Sequence, residues 1–234
     1  MADRRTRLPA TASEGEVDAF LATVASTPLA RRGSAGRLLF AMDATASREP
    51  SWDRACSLQA EMFDAAGGEG GLQVQLVYFR GFHEFHTSPW LSDTRDLSLI
   101  MTRVRCAGGL TQIDRVLGHA LLETASTPVD ALVYVGDCME ESVDTLCQRA
   151  GELGLQGVPA FVFQEGNDDI AEKAFRQMAR LTRGAYCHFD ASSAEQLREL
   201  LRAVAVFAAG GRKALQRLAR GDHGLVRKLA HQLS

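Results

Sequence analysis

The chain has 234 residues, 46% of them hydrophobic, and a formal net charge of −3. That is enough apolar material for one full core with extensions, and the charge provides no general attraction to nucleic acid or to acidic membrane surfaces. No stretch approaches the ~20 apolar residues of a membrane span, and the basic start Met1–Arg7 has no apolar segment behind it, so no secretory signal is expected.

The five cysteines, Cys56, Cys106, Cys138, Cys147 and Cys187, are scattered and form no Cys-x-x-Cys pair. Reduced thiols in a cytoplasmic protein are the expectation. At the amino end, Thr11-Ala12-Ser13-Glu14 can cap a helix over Glu16–Val24, with Phe20, Leu21 and Val24 on one face. Residues 1–35 therefore read either as a helical extension that packs on the domain or a partner, or as a partly disordered terminus. Arg31–Gly36 is a flexible lead into the first strand.

From Gly36 strands and helices alternate, which predicts a parallel sheet covered on both faces. The first strand, Leu38–Met42, is a continuous apolar run ending at Asp43. Ser51–Ala66 has helical spacing, with Pro50 near its first turn, and Leu72–Phe79 is a second strand. Gly81–Thr87 reads as a polar edge strand and Asp93–Arg103 as a short helix or turn. Gln112–Glu123 is a helix, Ala131–Val135 a central strand, Glu141–Leu153 a helix and Val158–Phe163 a strand. Asp168–Leu181 is a helix, Ala185–Phe189 a strand, and Ala194–Ala208 the closing helix. The fold class expected is α/β: a Rossmann-like three-layer αβα sandwich with a mostly parallel six-stranded sheet and one antiparallel edge strand. Residues 36–208 form the domain.

Residues 209–234 differ in composition, with Arg212, Lys213, Arg217, Arg220, Arg227 and Lys228 against the single acid Asp222. Two short basic amphipathic helices fit this tail. Its cations suit an acidic partner, while its leucines suit packing on the domain with the cations left in water.

The chemistry-bearing stretch is Asp43-Ala44-Thr45-Ala46-Ser47, at the carboxyl end of a buried strand, where open α/β sheets place their ligands. One carboxylate and two hydroxyls form a hard-oxygen set, suited to Mg²⁺ or Mn²⁺ and poor for zinc. The pattern Asp43-x-Thr45-x-Ser47 resembles the metal-ion-dependent adhesion site of von Willebrand factor A (VWA) domains. In that family a Thr from a second loop and an Asp from a third complete the shell. Here Gly108-Gly109-Leu110-Thr111 precedes a helix, and Leu132–Gly136 is a strand followed by Asp137. The third loop departs from the common Thr-Asp-Gly, having Gly136 before Asp137 and Cys138 after it.

The resemblance, which spans Gly36 to Ala208, implies a metal shell of Asp43, Thr45, Ser47, Thr111 and Asp137. It further implies that the two aspartates act largely through water or hydrogen bonds, with Thr111 joining directly in the high-affinity state. An ion held mostly by hydroxyls and water keeps positive charge to attract a Glu or Asp from a partner. The implied function is a non-enzymatic, divalent-cation-dependent protein-binding module. As an intracellular adaptor or subunit it would serve a complex such as an AAA+ ATPase or an assembly machine.

Each residue also has a structural alternative. Thr111 with Asp114 fits a capping box, and Asp137 or Ser47 can cap the helix after it. Glu140 and Glu141 add negative potential near the ion, or simply sit at a helix N-terminus. A second function class is a Mg²⁺-dependent phosphatase or phosphotransferase using Asp43, but the expected second aspartate is replaced by Thr45, leaving no proton donor. A third is a VWA scaffold with a vestigial metal site that binds through its termini. His83-Glu84-Phe85-His86 lacks the spacing of a metal helix, and Cys187-His188 has no third group to make a catalytic set. Nucleotide cradles and hydrolase elbows are missing from the sequence.

Overall fold

A computed structural model describes residues 13–28, 35–48, 71–190 and 194–221. The helix expected over Ser51–Ala66, Cys56, Pro50 and the tail beyond Gly221 lie outside the described residues. In chain order the elements are α1 (Glu14–Ser26), β1 (Gly36–Asp43), a 3₁₀ turn (Ala46–Arg48), β2 (Leu72–Arg80) and β3 (Glu84–Thr87). Next come α2 (Thr94–Met101), α3 (Ile113–Ser126), β4 (Ala131–Gly136), α4 (Val143–Leu155), β5 (Ala160–Glu165), α5 (Asp169–Leu181), β6 (Ala185–Phe189) and α6 (Ala194–Gly221).

The strands form one sheet in the order β3-β2-β1-β4-β5-β6. All neighbours are parallel except β3, which runs antiparallel to β2 along the edge. This is the expected α/β sandwich. Its uninterrupted apolar strands reflect burial on both faces: Leu38, Phe40 and Met42 enter one core and Leu39 and Ala41 the other. The first core lies beneath α1, α2 and α6, and the second beneath α3, α4 and α5.

Of the amino-terminal segment the structure describes residues 13–28 and 35, and there the expected helix packs on the domain. Ser13 caps α1, the Glu16 side chain closes a capping box, and Phe20, Leu21 and Val24 are buried in the first core. Phe20 meets the rings of Phe161 and Phe163, which fastens α1 to β5. At the other end α6 continues past the expected stop at Ala208. Gly211 adopts φ +65°, a left-handed conformation open to glycine, and bends the helix there. Leu215 beyond the bend is in the core and Leu218 rests against it, as apolar packing of the tail's start requires.

The topology places the carboxyl ends of β1, β4 and β5 side by side. Met42 is registered with Val135, and Gly136 with Gln164. Asp43, Asp137 and Glu165 therefore stand in a row across three adjacent strand ends.

Candidate metal centre

Asp43 closes β1 and is fully buried. Its Oδ1 accepts the Thr45 backbone N–H at 2.7 Å, a local turn that clamps the carboxylate. Its Oδ2 is buried with no hydrogen-bond partner. The same loop brings the Thr45 and Ser47 hydroxyls to 3.0 Å from each other. The loop is held from both sides: Ala44 donates to the Phe79 carbonyl at 2.9 Å, and Ala107 donates to the Ala44 carbonyl at 3.1 Å.

Asp137 comes directly after β4 and has a buried Oδ1 that also lacks a partner. Ligand atoms of Asp43, Asp137 and Cys138 all lie within 4.8 Å of one another. Burial pushes the Asp43 carboxyl up to about 6; its bonds with Thr45 oppose this and the nearby Asp137 charge adds to it. Burial likewise raises the Cys138 thiol, with Asp137 and Asp43 contributing. Two orphaned carboxylate oxygens beside two hydroxyls fit a hard divalent cation.

Thr111 is placed differently from the other candidates. Its hydroxyl donates to Glu140 Oε2 at 2.9 Å and accepts the Glu140 N–H at 3.2 Å, while its own N–H donates to the same oxygen at 3.0 Å. The capping box that was the structural alternative for Thr111 and Asp114 is not formed: Gln112 is the N-cap of α3 and makes no side-chain cap. Instead Glu141 reaches over from the third loop and accepts the Ile113 and Asp114 N–H groups at 2.6 and 2.8 Å. Glu140 and Glu141 are thus neither loose acids nor the N-terminus of their own helix, because Ser142 caps α4. They clasp the third loop to the second, with the α3 dipole favouring the carboxylate. Asp137 does not cap α4 either.

Three further groups were not recognised in the sequence. Arg48 is 1% exposed, pairs with Glu165 at the end of β5, and comes directly after the hydroxyl pair. Burial pushes its guanidinium pKa down, while Asp137 and then Asp43 pull it back up. Tyr134 is buried among the Phe79 and Phe175 rings, and its hydroxyl has no partner. A Cβ on Gly136 would come within 2.4 Å of that hydroxyl, so the phenol reaches the base of the third loop. In sequence Arg48 adjoins Ser47 and Tyr134 comes shortly before Asp137, whereas Glu165 has no neighbour in the ligand pattern.

Two large apolar side chains are exposed on loops next to the Asp43 loop, which Ala107 joins to the second loop. Phe82 in the β2–β3 turn is 68% exposed and Leu110 is 49% exposed. Their loops touch where the Leu110 N–H donates to the Gly81 carbonyl at 3.3 Å. Gly109 allows this approach, since a Cβ there would lie 1.9 Å from that carbonyl oxygen. The weaker sequence signals have ordinary roles. His86 stacks on Tyr78, Glu84 pairs with Arg80, and His188 bonds the Gly166 carbonyl.

Several solved structures superpose on this chain. A von Willebrand factor type A protein from Catenulispora acidiphila superposes with a TM-score of 0.59 at 18% identity, over 74% of this chain and 43% of that one. The fold is that of a VWA domain. The SpRpn10 VWA domain matches with a TM-score of 0.57 at 10% identity, over 76% of this chain and 97% of that domain. An aerotolerance-related membrane protein from Bacteroides fragilis matches with a TM-score of 0.55 at 19% identity, over 70% of this chain and 96% of that one. This chain therefore spans less than half of the Catenulispora protein but nearly all of the other two. No protein-family model and no curated protein matches the sequence. Among the described residues no helix is long and apolar enough to cross a membrane.

Proposed function

We propose that the VWA-like domain binds a protein partner at the carboxyl edge of its sheet by presenting a divalent cation, Mg²⁺ or Mn²⁺, to an acidic residue of that partner. The observation that carries this reading is the pair of buried, unpartnered oxygens, Asp43 Oδ2 and Asp137 Oδ1. A buried carboxylate oxygen without a donor is costly, and a cation removes that cost. Asp43, Asp137, Thr45 and Ser47 would hold the ion, and the ion would supply positive charge to an incoming carboxylate. Thr111 would join only after leaving Glu140, which makes the Glu140 clasp a closed setting of the site. Phe82 and Leu110 provide apolar contact beside it, as an interface core requires. The partner proposed is a subunit of an intracellular complex, of the AAA+ ATPase or assembly-machine type, and the role is binding without turnover.

The test is an array of immobilised peptides that come in pairs, Asp or Glu in one member and Asn or Gln in the other. The acidic members should retain the wild-type protein in Mn²⁺ and release it in EDTA, and Asp43→Ala should abolish retention while leaving the fold intact by circular dichroism. Equal retention of both members, unchanged by EDTA, would overturn the reading.

A further inference from the structure

Arg48 lies one residue beyond Ser47, in the 3₁₀ turn after β1, and its side chain is among the largest fully buried ones described. An arginine is almost never found so deep unless a carboxylate answers it. Its ion-pair partner is Glu165, the last residue of β5. In the sheet β4 lies between β1 and β5. Glu165 thus belongs to a strand two places from β1, about 10 Å across the sheet. The guanidinium that reaches it passes the end of β4, where Asp137 stands beside Asp43. One cation is set among three carboxylates: Asp43, Asp137 and Glu165.

We infer that Arg48 is the built-in cation of this site, compensating Asp43 and Asp137 from within the chain and lowering the site's affinity for a divalent ion. The arrangement deepens the proposed function, and its metal-binding arm rests on that reading; its charge-balance arm does not. Three carboxylates against one guanidinium leave an excess of negative charge, so a divalent ion is still attracted. It must enter against a fixed positive charge that no solvent screens. The consequence is a domain that folds without metal and takes it up only when the ion is abundant or when a partner carboxylate helps to hold it. A buried ion pair is well suited to such a setting role, because breaking it on one side only leaves an uncompensated charge.

The experiment uses the full chain and five forms: wild type, Arg48→Met, Arg48→Lys, Asp43→Asn and the double variant Arg48→Met/Asp43→Asn. Thermal midpoints in EDTA read the charge balance. Arg48→Met is expected to melt several degrees below wild type, and the double variant to regain most of that loss, because one uncompensated carboxylate has been neutralised. A gain from Asp43→Asn no larger in the Arg48→Met background than in the wild-type background would make Arg48 a packing residue and overturn the inference.

Free Mn²⁺, measured by electron paramagnetic resonance, reads the affinity. Arg48→Met is expected to bind at least tenfold more tightly than wild type, and Arg48→Lys to stay near wild type. Equal Mn²⁺ affinity in wild type and Arg48→Met would overturn the inference while leaving the proposed function standing. Rescue in the double variant with no Mn²⁺ bound by any form would support Arg48 as the resident cation and overturn the metal-dependent reading instead. Should Arg48→Met fail to fold, a double variant that does fold still reads the charge balance, and Arg48→Gln takes the place of Arg48→Met in the Mn²⁺ titration.

Discussion

At the amino end of β1, Arg37 and Asp130 form a set in which polar groups find partners close by. Asp130 accepts the Arg37 N–H at 2.8 Å, and the Arg37 guanidinium pairs with Glu123, donates to the Thr127 carbonyl and lies 3.7 Å from the centre of the Trp90 ring. At the carboxyl end of the same strand, Asp43 and Arg48 are buried more deeply, yet Asp43 Oδ2, Asp137 Oδ1 and the Tyr134 hydroxyl are left without hydrogen bonds. The two ends put the same residue types to opposite uses. The first is a staple between β1 and the start of β4, whose worth lies in its hydrogen bonds. The second holds charge in a low-dielectric place without fully satisfying it, as binding sites do and structural ion pairs do not.

The largest expected effect comes from relieving the unsatisfied end. The displacement of the Asp43 carboxyl from its usual 3.8 to about 6 corresponds to ~3 kcal/mol disfavouring the ionised native form. Asp43→Asn should therefore raise metal-free stability at pH 7 by up to ~3 kcal/mol in urea denaturation, although it removes a candidate ligand. A carboxyl whose native pKa is raised stabilises the fold fully below about pH 3.8, and that contribution is lost as pH rises through about 6. Wild type should show this decline between about pH 4 and 6, and Asp43→Asn should not. A variant less stable than wild type at neutral pH would place Asp43 with the staples.

Cutting the staple should do the reverse. Asp130→Ala leaves the Arg37 N–H without its acceptor, and a loss of ~1–3 kcal/mol is expected at neutral pH with no dependence on Mn²⁺. A smaller loss, ~1 kcal/mol, is expected for Glu141→Ala, which uncaps α3 from across the loop. Amide exchange should then quicken at Ile113 and Asp114 before the rest of the helix. Smallest of all on stability is Phe82→Ser, within ~0.5 kcal/mol because the ring is already exposed. Its effect should appear instead as weaker retention on the acidic peptide array.

Most of the scaffold was legible from spacing. Buried parallel strands announce themselves as unbroken apolar runs, and the run Leu38–Met42 became the strand between β2 and β4. The α1 cap was legible too, because Ser13 and Glu16 act on their own backbone three residues apart. The same local logic misled at α3. Thr111 and Asp114 have capping-box spacing, but Glu141, from the loop after β4, took the amides. A carboxylate from another loop leaves no mark in the sequence around the helix it caps.

The sequence alone determined that a carboxylate, two hydroxyls and a second aspartate would come after buried strands, because strand periodicity and chain order decide where apolar runs end. Only the tertiary structure decided which of these groups would stay unsatisfied. Register set Asp43, Asp137 and Glu165 side by side, and the third loop claimed Thr111. Arg48, which no motif in the sequence singles out, is buried against a carboxylate 117 positions away. Charge compensation acts through space at a few ångströms, and separation along the chain carries no information about it.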